Sequence, residues 1–352
     1  MKIKIFCTWN HFEKICQNLD IPLDWDIETF LDTTLRDLYI VFLKHSNLVI
    51  DRVPSKEEML IKMKNPYIAK FMKHEQANNY KIDSETFNEI DYNEECFFEN
   101  LSELNPLFFL NKSREDSKRI ENQYGYFCFC SENADSYRRI FQYHSFSISE
   151  SENSIKDWSF MAVLDIPFNS IIFCDDYFFN PKHKELDKYK NQEKLKNVHR
   201  EYLNNILPNF PMKNKLHITI ISNNCLHNSY VNLKKIIEKL RPNLDFSLSI
   251  IKQKQHDRFI ITNYFLLNSG YGFCLFHNKE VLVENTTISL STILTPNRQP
   301  SPTLYSYSEW IDKVKICAKK FQIVGNGPEV SGEKENRLLS TMLNILRKHA
   351  AD

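Results

Sequence analysis

Glycine is scarce: six residues in a chain of 352, at positions 125, 270, 272, 325, 327 and 332. Neither GxGxxG nor GxxxxGKS/T can be written from them. The dinucleotide fingerprint and the P-loop are thereby excluded in their usual forms, since both need closely spaced glycines against phosphate. None of the nine cysteines forms a CxxC pair. Most lie inside apolar runs such as Phe127-Cys128-Phe129-Cys130, Ile172-Phe173-Cys174 and Phe273-Cys274-Leu275, where a thiol acts as a small hydrophobe. An odd, motif-free set also suits a reducing compartment. No apolar run reaches 18 residues, and no apolar core precedes Trp9-Asn10-His11. The expectation is a cytoplasmic protein without a membrane span. Excess charge of one sign is missing too, with 45 Lys+Arg against 45 Asp+Glu.

What is present is enough for a normal core: 42% hydrophobic residues, and 13% aromatics that fit a β-containing interior. The length fits one large domain or two ordinary ones. The balanced charge is unevenly spread. Residues 83–157 hold 16 acidic against 7 basic side chains, and residues 182–258 hold 16 basic against 7 acidic. A basic half points to a phosphate-rich partner. The competing reading is mutual attraction of the two halves, or lysine-rich helix faces in solvent.

Strand-like runs alternate with helical patterns throughout, which predicts an α/β fold. Lys2–Cys7, Leu48–Asp51, Leu107–Leu110 and Tyr126–Cys130 read as strands of a small N-terminal α/β domain over residues 1–150. A helix is expected over Asp26–Leu43, polar helical sequence over 56–100, and a short helix from Ser113 to Asn122. The Ser/Glu-rich stretch 146–157 is the candidate boundary. Beyond it, Ile171–Cys174, Leu216–Ser222, Phe246–Ile251, Phe259–Leu267, Gly272–Phe276 and Ser289–Leu294 read as strands. Asn191–Leu207 and Tyr230–Leu240 read as helices. These make a second α/β domain over 158–330, a mixed sheet with helices on both faces. Residues 295–308 are a Pro/Ser-rich loop, and 333–352 form a C-terminal helix.

The strongest chemical pattern is His256-Asp257-Arg258 with Asn263, an HxRxxxxN spacing, followed by Ser269-Gly270-Tyr271-Gly272-Phe273. This resembles the HxKxxxxD motif of the phospholipase D superfamily, and most closely the phospholipase-D-like C-terminal domain of MIT-domain proteins. That domain carries His-Asp-Arg, a following Asn and a Gly-x-Gly segment. Its Asp-Pro-Tyr element is matched by Asp175-Asp176-Tyr177, and a later strand ending in Thr or Ser by Ile218–Ser222. The likeness covers about residues 158–295. It implies a histidine that attacks phosphorus or binds phosphate at 256, a cationic clamp at Arg258 and an orienting residue at Asn263. The superfamily contains metal-independent nucleases and lipid hydrolases, the MIT-linked branch is regarded as a non-catalytic phospholipid binder, and related stand-alone architectures look like bacterial phage-defence proteins.

Two departures matter. Arg in place of Lys keeps the cation and adds bidentate phosphate geometry. Asn in place of Asp removes a carboxylate whose loss, by analogy with catalytic triads, costs about 10⁴ in rate. Superfamily sites also need two histidines, supplied by two motifs or by a homodimer, and one motif is visible. His217 is the candidate second histidine, and Ser269, His217 and Lys254 complete the candidate phosphate-binding set. The bland reading of His256 is a hydrogen-bonded strand-start histidine, and of His217 a buried one. Asp51, Asp165, Asp175 and Asp176 follow apolar runs and would suit Mg²⁺, although strand-end carboxylates commonly serve solubility or capping. The Lys-rich segment 182–200 suits a nucleic-acid backbone or a solvated helix face. The leading expectation is a phosphodiester-recognising protein that engages nucleic acid, without cofactor or metal, with cleavage as a homodimer left open. The alternative is a non-catalytic adaptor or sensor for a phosphorylated ligand, a lipid headgroup or a protein partner.

Overall fold

The computed structural model describes residues 2–19, 34–52, 54–62, 64–73, 80–149, 151, 154–179, 199–201, 203–205, 211–223, 228–254, 256–277, 280–283, 285–295, 305–324, 330–333 and 335–351. The protein is mixed α/β and divides into two compact units, Met1–Phe141 and Gln142–Asp352.

In the first unit, β1 (Ile3–Cys7) leads to α1 (Trp9–Gln17), α2 (Thr34–Ile40) and β2 (Ser46–Ile50). Then come α3 (Lys56–Lys62), α4 (Pro66–Lys73), β3 (Tyr80–Ile82), α5 (Ser84–Tyr92), α6 (Glu94–Asn100), β4 (Leu107–Leu110), α7 (Arg114–Tyr124) and β5 (Phe127–Cys130). The strands are all parallel, in the order β3-β2-β1-β4-β5. Central strands of a parallel sheet covered on both faces are largely apolar rather than alternating; every residue of β4 and β5 is buried, whereas the edge strand β3 is exposed at Lys81 and Ile82. Phe6 stacks on Phe108 across β1 and β4, with ring centres 4.9 Å apart. Ser113 caps α7 by accepting the Asp116 N–H, and Gly125, at φ 72°, closes it. Asp51 serves the same purpose: one carboxylate oxygen accepts the N–H of Trp9, in the first turn of α1, at 2.6 Å, and that of Arg52 at 2.9 Å. The polar stretch 56–100, read from sequence as helical, also contains β3, a strand too short to leave a periodic signal. The predicted helix 26–43 is described only from Thr34 onward, as α2 followed by a π-helical turn through His45.

The second unit begins with β6 (Tyr143–Ser149), which lies inside the predicted first domain and overlaps the predicted linker. Its composition is polar, but its period is two, and Phe146 registers with an isoleucine of the neighbouring strand. Beyond a 3-10 segment (Trp158–Leu164) lie β7 (Ser170–Cys174), β8 (Leu216–Ser222), α8 (Ser229–Leu240), β9 (Phe246–Lys252), β10 (Phe259–Thr262) and β11 (Phe265–Ser269). Then follow β12 (Phe276–His277), β13 (Glu280–Val281), β14 (Asn285–Thr292), α9 (Tyr305–Val324), β15 (Val330–Gly332) and α10 (Arg337–Ala351). Eight described strands form one sheet in the order β15-β9-β8-β7-β10-β11-β14-β6. The β7-β8-β9 core is parallel, and the other pairings are antiparallel.

The apolar run 259–267, expected as one strand, is two, turning at Asn263-Tyr264. The run 272–276 is mostly loop and becomes strand only at Phe276. Helix α9 falls outside the sequence expectations, yet Trp310, Ile311, Val314, Cys317, Ala318 and Phe321 are buried at helical spacing. The Trp310 indole donates to the Thr262 carbonyl at 2.9 Å, which sets α9 against β10. Among the described residues no helix is long and apolar enough to cross a membrane.

Candidate phosphate site

Sheet direction gathers the site. Parallel strands β7, β8 and β9 end at one edge of the second sheet, where antiparallel β10 begins and β11 ends. Asp175-Asp176-Tyr177 and residues 252–254, 256–258 and 269–272 therefore meet at a single edge. The backbone carries this through: Asp175 N–H donates to Ile221 O, Gln253 N–H to Ser222 O, and Ser269 N–H to Arg258 O.

At its centre is Arg258. One Nη1–H donates to the Gly270 carbonyl at 2.6 Å, and the guanidinium lies over the Tyr177 ring, 4.9 Å from its centre. These two contacts fix a planar cation, with little rotamer entropy left to lose on binding an anion. Beneath it Asp175 is fully buried. One of its oxygens accepts the Tyr177 N–H at 2.9 Å and the other accepts the Phe273 N–H at 3.0 Å. Burial pushes the Asp175 carboxyl up to about 6, against the opposing pull of those two N–H donors and of Arg258. Gly272 makes this close approach feasible. Its φ is +92°, and a Cβ there would stand 2.7 Å from the Asp175 Oδ2. Ser269 is buried and donates to the Gly272 carbonyl at 2.5 Å, so it shapes the glycine turn.

His256 and Asp257 are exposed in the bend before β10. Because the strand starts only at Phe259, strand alternation does not place His256 and Arg258 on one face. The Asp257 carboxylate pairs with Lys313 of α9 at 2.6 Å, which lowers its pKa. Lys254 is exposed, and its carbonyl accepts from Lys320 at 3.1 Å. The edge thus offers Arg258, His256 and Lys254 on one short connector, backed by two lysines of α9.

Two predicted members lie elsewhere. Asn263 follows the far end of β10, roughly 16 Å from Arg258 at the rise of an extended strand. There its Oδ1 accepts the N–H groups of Asn169 and Ser170 at 3.1 and 3.0 Å. It ties the start of β7 and cannot orient His256. His217 sits near the start of β8, at that same opposite edge, buried, with Nδ1 2.9 Å from the Ser247 hydroxyl. Burial lowers its pKa, and it acts as a core histidine instead of a phosphate ligand. Its surroundings are a hydroxyl cluster closed by Asn336, which accepts from Ser170 Oγ, donates to Thr219 Oγ1 and caps α10 through the Leu339 N–H.

The basic segment 182–198 lies outside the described residues. Of its continuation, His199 is buried with Nε2 2.7 Å from the Phe178 carbonyl, and burial lowers its pKa to about 4. Among the described residues no three His, Cys, Asp or Glu side chains gather as a metal-holding group, and the four candidate carboxylates have other duties. Asp51 caps α1 in the first unit. Asp165 ends the 3-10 segment at φ 44°, Asp175 holds the turn beneath Arg258, and Asp176 accepts the Asn223 N–H.

Sequence reasoning missed Tyr177 as the platform for Arg258, Gly272 as the seat of Asp175, and Lys313. For the last, the helical spacing of α9 was the available signal. Neither a protein-family model nor a characterised protein matches this chain.

Proposed function

We propose that the second unit recognises a phosphate or phosphodiester group at this edge, with nucleic acid as the ligand class. The observation that carries the reading is the fixed Arg258 guanidinium, seated on Gly270 O and the Tyr177 ring two residues after an exposed histidine. A pre-positioned planar cation supplies bidentate phosphate contacts, and Lys254 and His256 extend the positive edge. Binding is favoured over turnover, because Asn263 stands at the opposite edge and His217 is buried there too. Cleavage of the phospholipase D kind would need a second His256 from another copy, and the exposure of His256 leaves that route open. The same phosphate chemistry would serve a role in phage defence, or in sensing a phosphorylated protein or lipid headgroup.

The test is incubation of wild type, His256→Ala and Arg258→Ala with labelled single- and double-stranded DNA and RNA, with and without EDTA. Retention that falls at least about tenfold in Arg258→Ala and weakens with salt is the expected result. EDTA-resistant cleavage lost in His256→Ala would promote the protein to a hydrolase. Absence of both retention and cleavage overturns the nucleic-acid reading and turns the search to protein and lipid ligands.

A further inference from the structure

Eight cysteines are described, and seven of them are buried. Two meet: the Cys174 and Cys317 sulfurs are 3.4 Å apart, each residue fully buried. Their places in the fold differ sharply. Cys174 ends β7 and immediately precedes Asp175. Cys317 is on α9, four residues after Lys313, which pairs with Asp257, and three before Lys320, which donates to Lys254 O. The sulfur contact therefore lies on the helix between the two lysines that hold the 254–257 connector.

We propose that Cys174 and Cys317 form a redox modification site, in which a hydroperoxide oxidises the pair to a disulfide that fastens α9 to the end of β7. The first step transfers one oxygen: a thiol and a hydroperoxide give a sulfenic acid and the corresponding alcohol, or water from hydrogen peroxide. In the second, the other thiol attacks the sulfenic sulfur, the S–S bond forms, and the hydroxyl leaves with the thiol proton as water. Two electrons pass from the sulfurs to the peroxide. A disulfide is about 2.05 Å long, so closure requires about 1.4 Å of approach.

Contact also sets selectivity. Burial raises the Cys174 pKa well above that of a free thiol, although Lys320 and Lys313 oppose this. Reaction is therefore slow and needs a small oxidant that reaches the interior. Once either sulfur is oxidised, its partner is the nearest nucleophile, and the pair closes before further oxidation. The linkage would hold α9, and with it Lys313 and Lys320, against the connector that carries His256. This claim is independent of what the phosphate site binds.

The test uses the full chain carrying Cys96→Ser, which removes the one exposed cysteine among the described residues. The native protein is treated with hydrogen peroxide, alkylated after denaturation, and mapped without reductant. Expected are a mass lower by two hydrogens before alkylation, a linked peptide pair containing residues 174 and 317, a higher Tm reversed by dithiothreitol, and loss of all three in Cys317→Ala. Alanine is a good helix former at that position, so this variant tests chemistry more than folding; circular dichroism of Cys317→Ala and of the reduced parent checks that directly. Alkylation of both cysteines after oxidation of the folded protein overturns the proposal, as does linkage to other cysteines or linkage only after unfolding. Nucleic-acid retention measured before and after oxidation is read separately, so failure of the phosphate site and failure of the disulfide are distinguishable.

Discussion

Replacing Asp175 by asparagine isolates one buried carboxyl and gives a pH signature whose size follows from its surroundings. In the folded protein burial lifts its pKa to about 6, whereas an unfolded aspartate titrates at about 3.9. The folded state therefore holds this proton more tightly than the unfolded state. Stability from that preference is fully present below the unfolded pKa and is lost as pH rises through 6, a total of about 3 kcal/mol. The amide of Asp175→Asn cannot titrate. It also has one carbonyl where the carboxyl offers two oxygens, so one of the Tyr177 and Phe273 N–H groups faces an amide NH₂, at a cost of roughly 1–3 kcal/mol at every pH. Urea unfolding of both proteins at pH 4, 5, 6 and 7, followed by circular dichroism, gives the difference between them. Wild type should lead most clearly at pH 4. Its lead should shrink by about 2 kcal/mol by pH 7, the remainder of the linkage lying below pH 4 and above pH 7. A pH-independent difference, or one that grows with pH, would refute the account of Asp175 as a desolvated acid beneath Arg258.

Gly272→Ala should destabilise by roughly 2–4 kcal/mol, because it adds a side chain at positive φ and sets its Cβ against the Asp175 carboxylate. Urea unfolding checks this, and a change below about 0.5 kcal/mol would mean the turn yields freely. Asn263→Ala removes the acceptor shared by two buried N–H groups and should cost roughly 2–5 kcal/mol. Folded Asn263→Ala should still retain nucleic acid as wild type does. Selective loss of retention, with stability unchanged, would return Asn263 to the site.

The strand content of the sheets was largely legible because buried parallel strands are continuous apolar runs, as in Leu107–Leu110 and Leu216–Ser222. Legibility failed where two signals conflicted. In β6 a polar composition concealed period-two alternation around Phe146 and Ile148. In 259–267 the apolar run continues through a turn, since Tyr264 is itself buried. Of the motif residues, His256, Arg258 and Ser269 lie at one edge of the second sheet, as does Asp175-Asp176-Tyr177. A one-dimensional pattern does not carry strand direction, however. Antiparallel β10 separates the ends of HxRxxxxN onto opposite margins, and parallel β8 places His217 at the far margin. The contacts of Arg258 with Tyr177 and of Cys174 with Cys317 span long stretches of chain and leave no local spacing to read.

The position of β6 bears on how the molecule is made. It is the first described strand of its sheet to leave the ribosome, yet among the described strands it pairs only with β14, Tyr143 with Ser291 and Ser149 with Asn285. Roughly 140 residues must be synthesised in between, which at about 5–20 residues per second takes on the order of 7–30 s. During that interval a strand reading Tyr-His-Ser-Phe-Ser-Ile-Ser, without Lys, Arg, Asp, Glu, Pro or Gly, waits without its partner. Such sequences lack the usual guards against pairing with other chains. The growing chain is therefore most exposed to aggregation just before β14 appears. Ser145→Lys or Ser147→Lys, each at an exposed position of β6, should raise soluble yield while leaving the finished sheet intact.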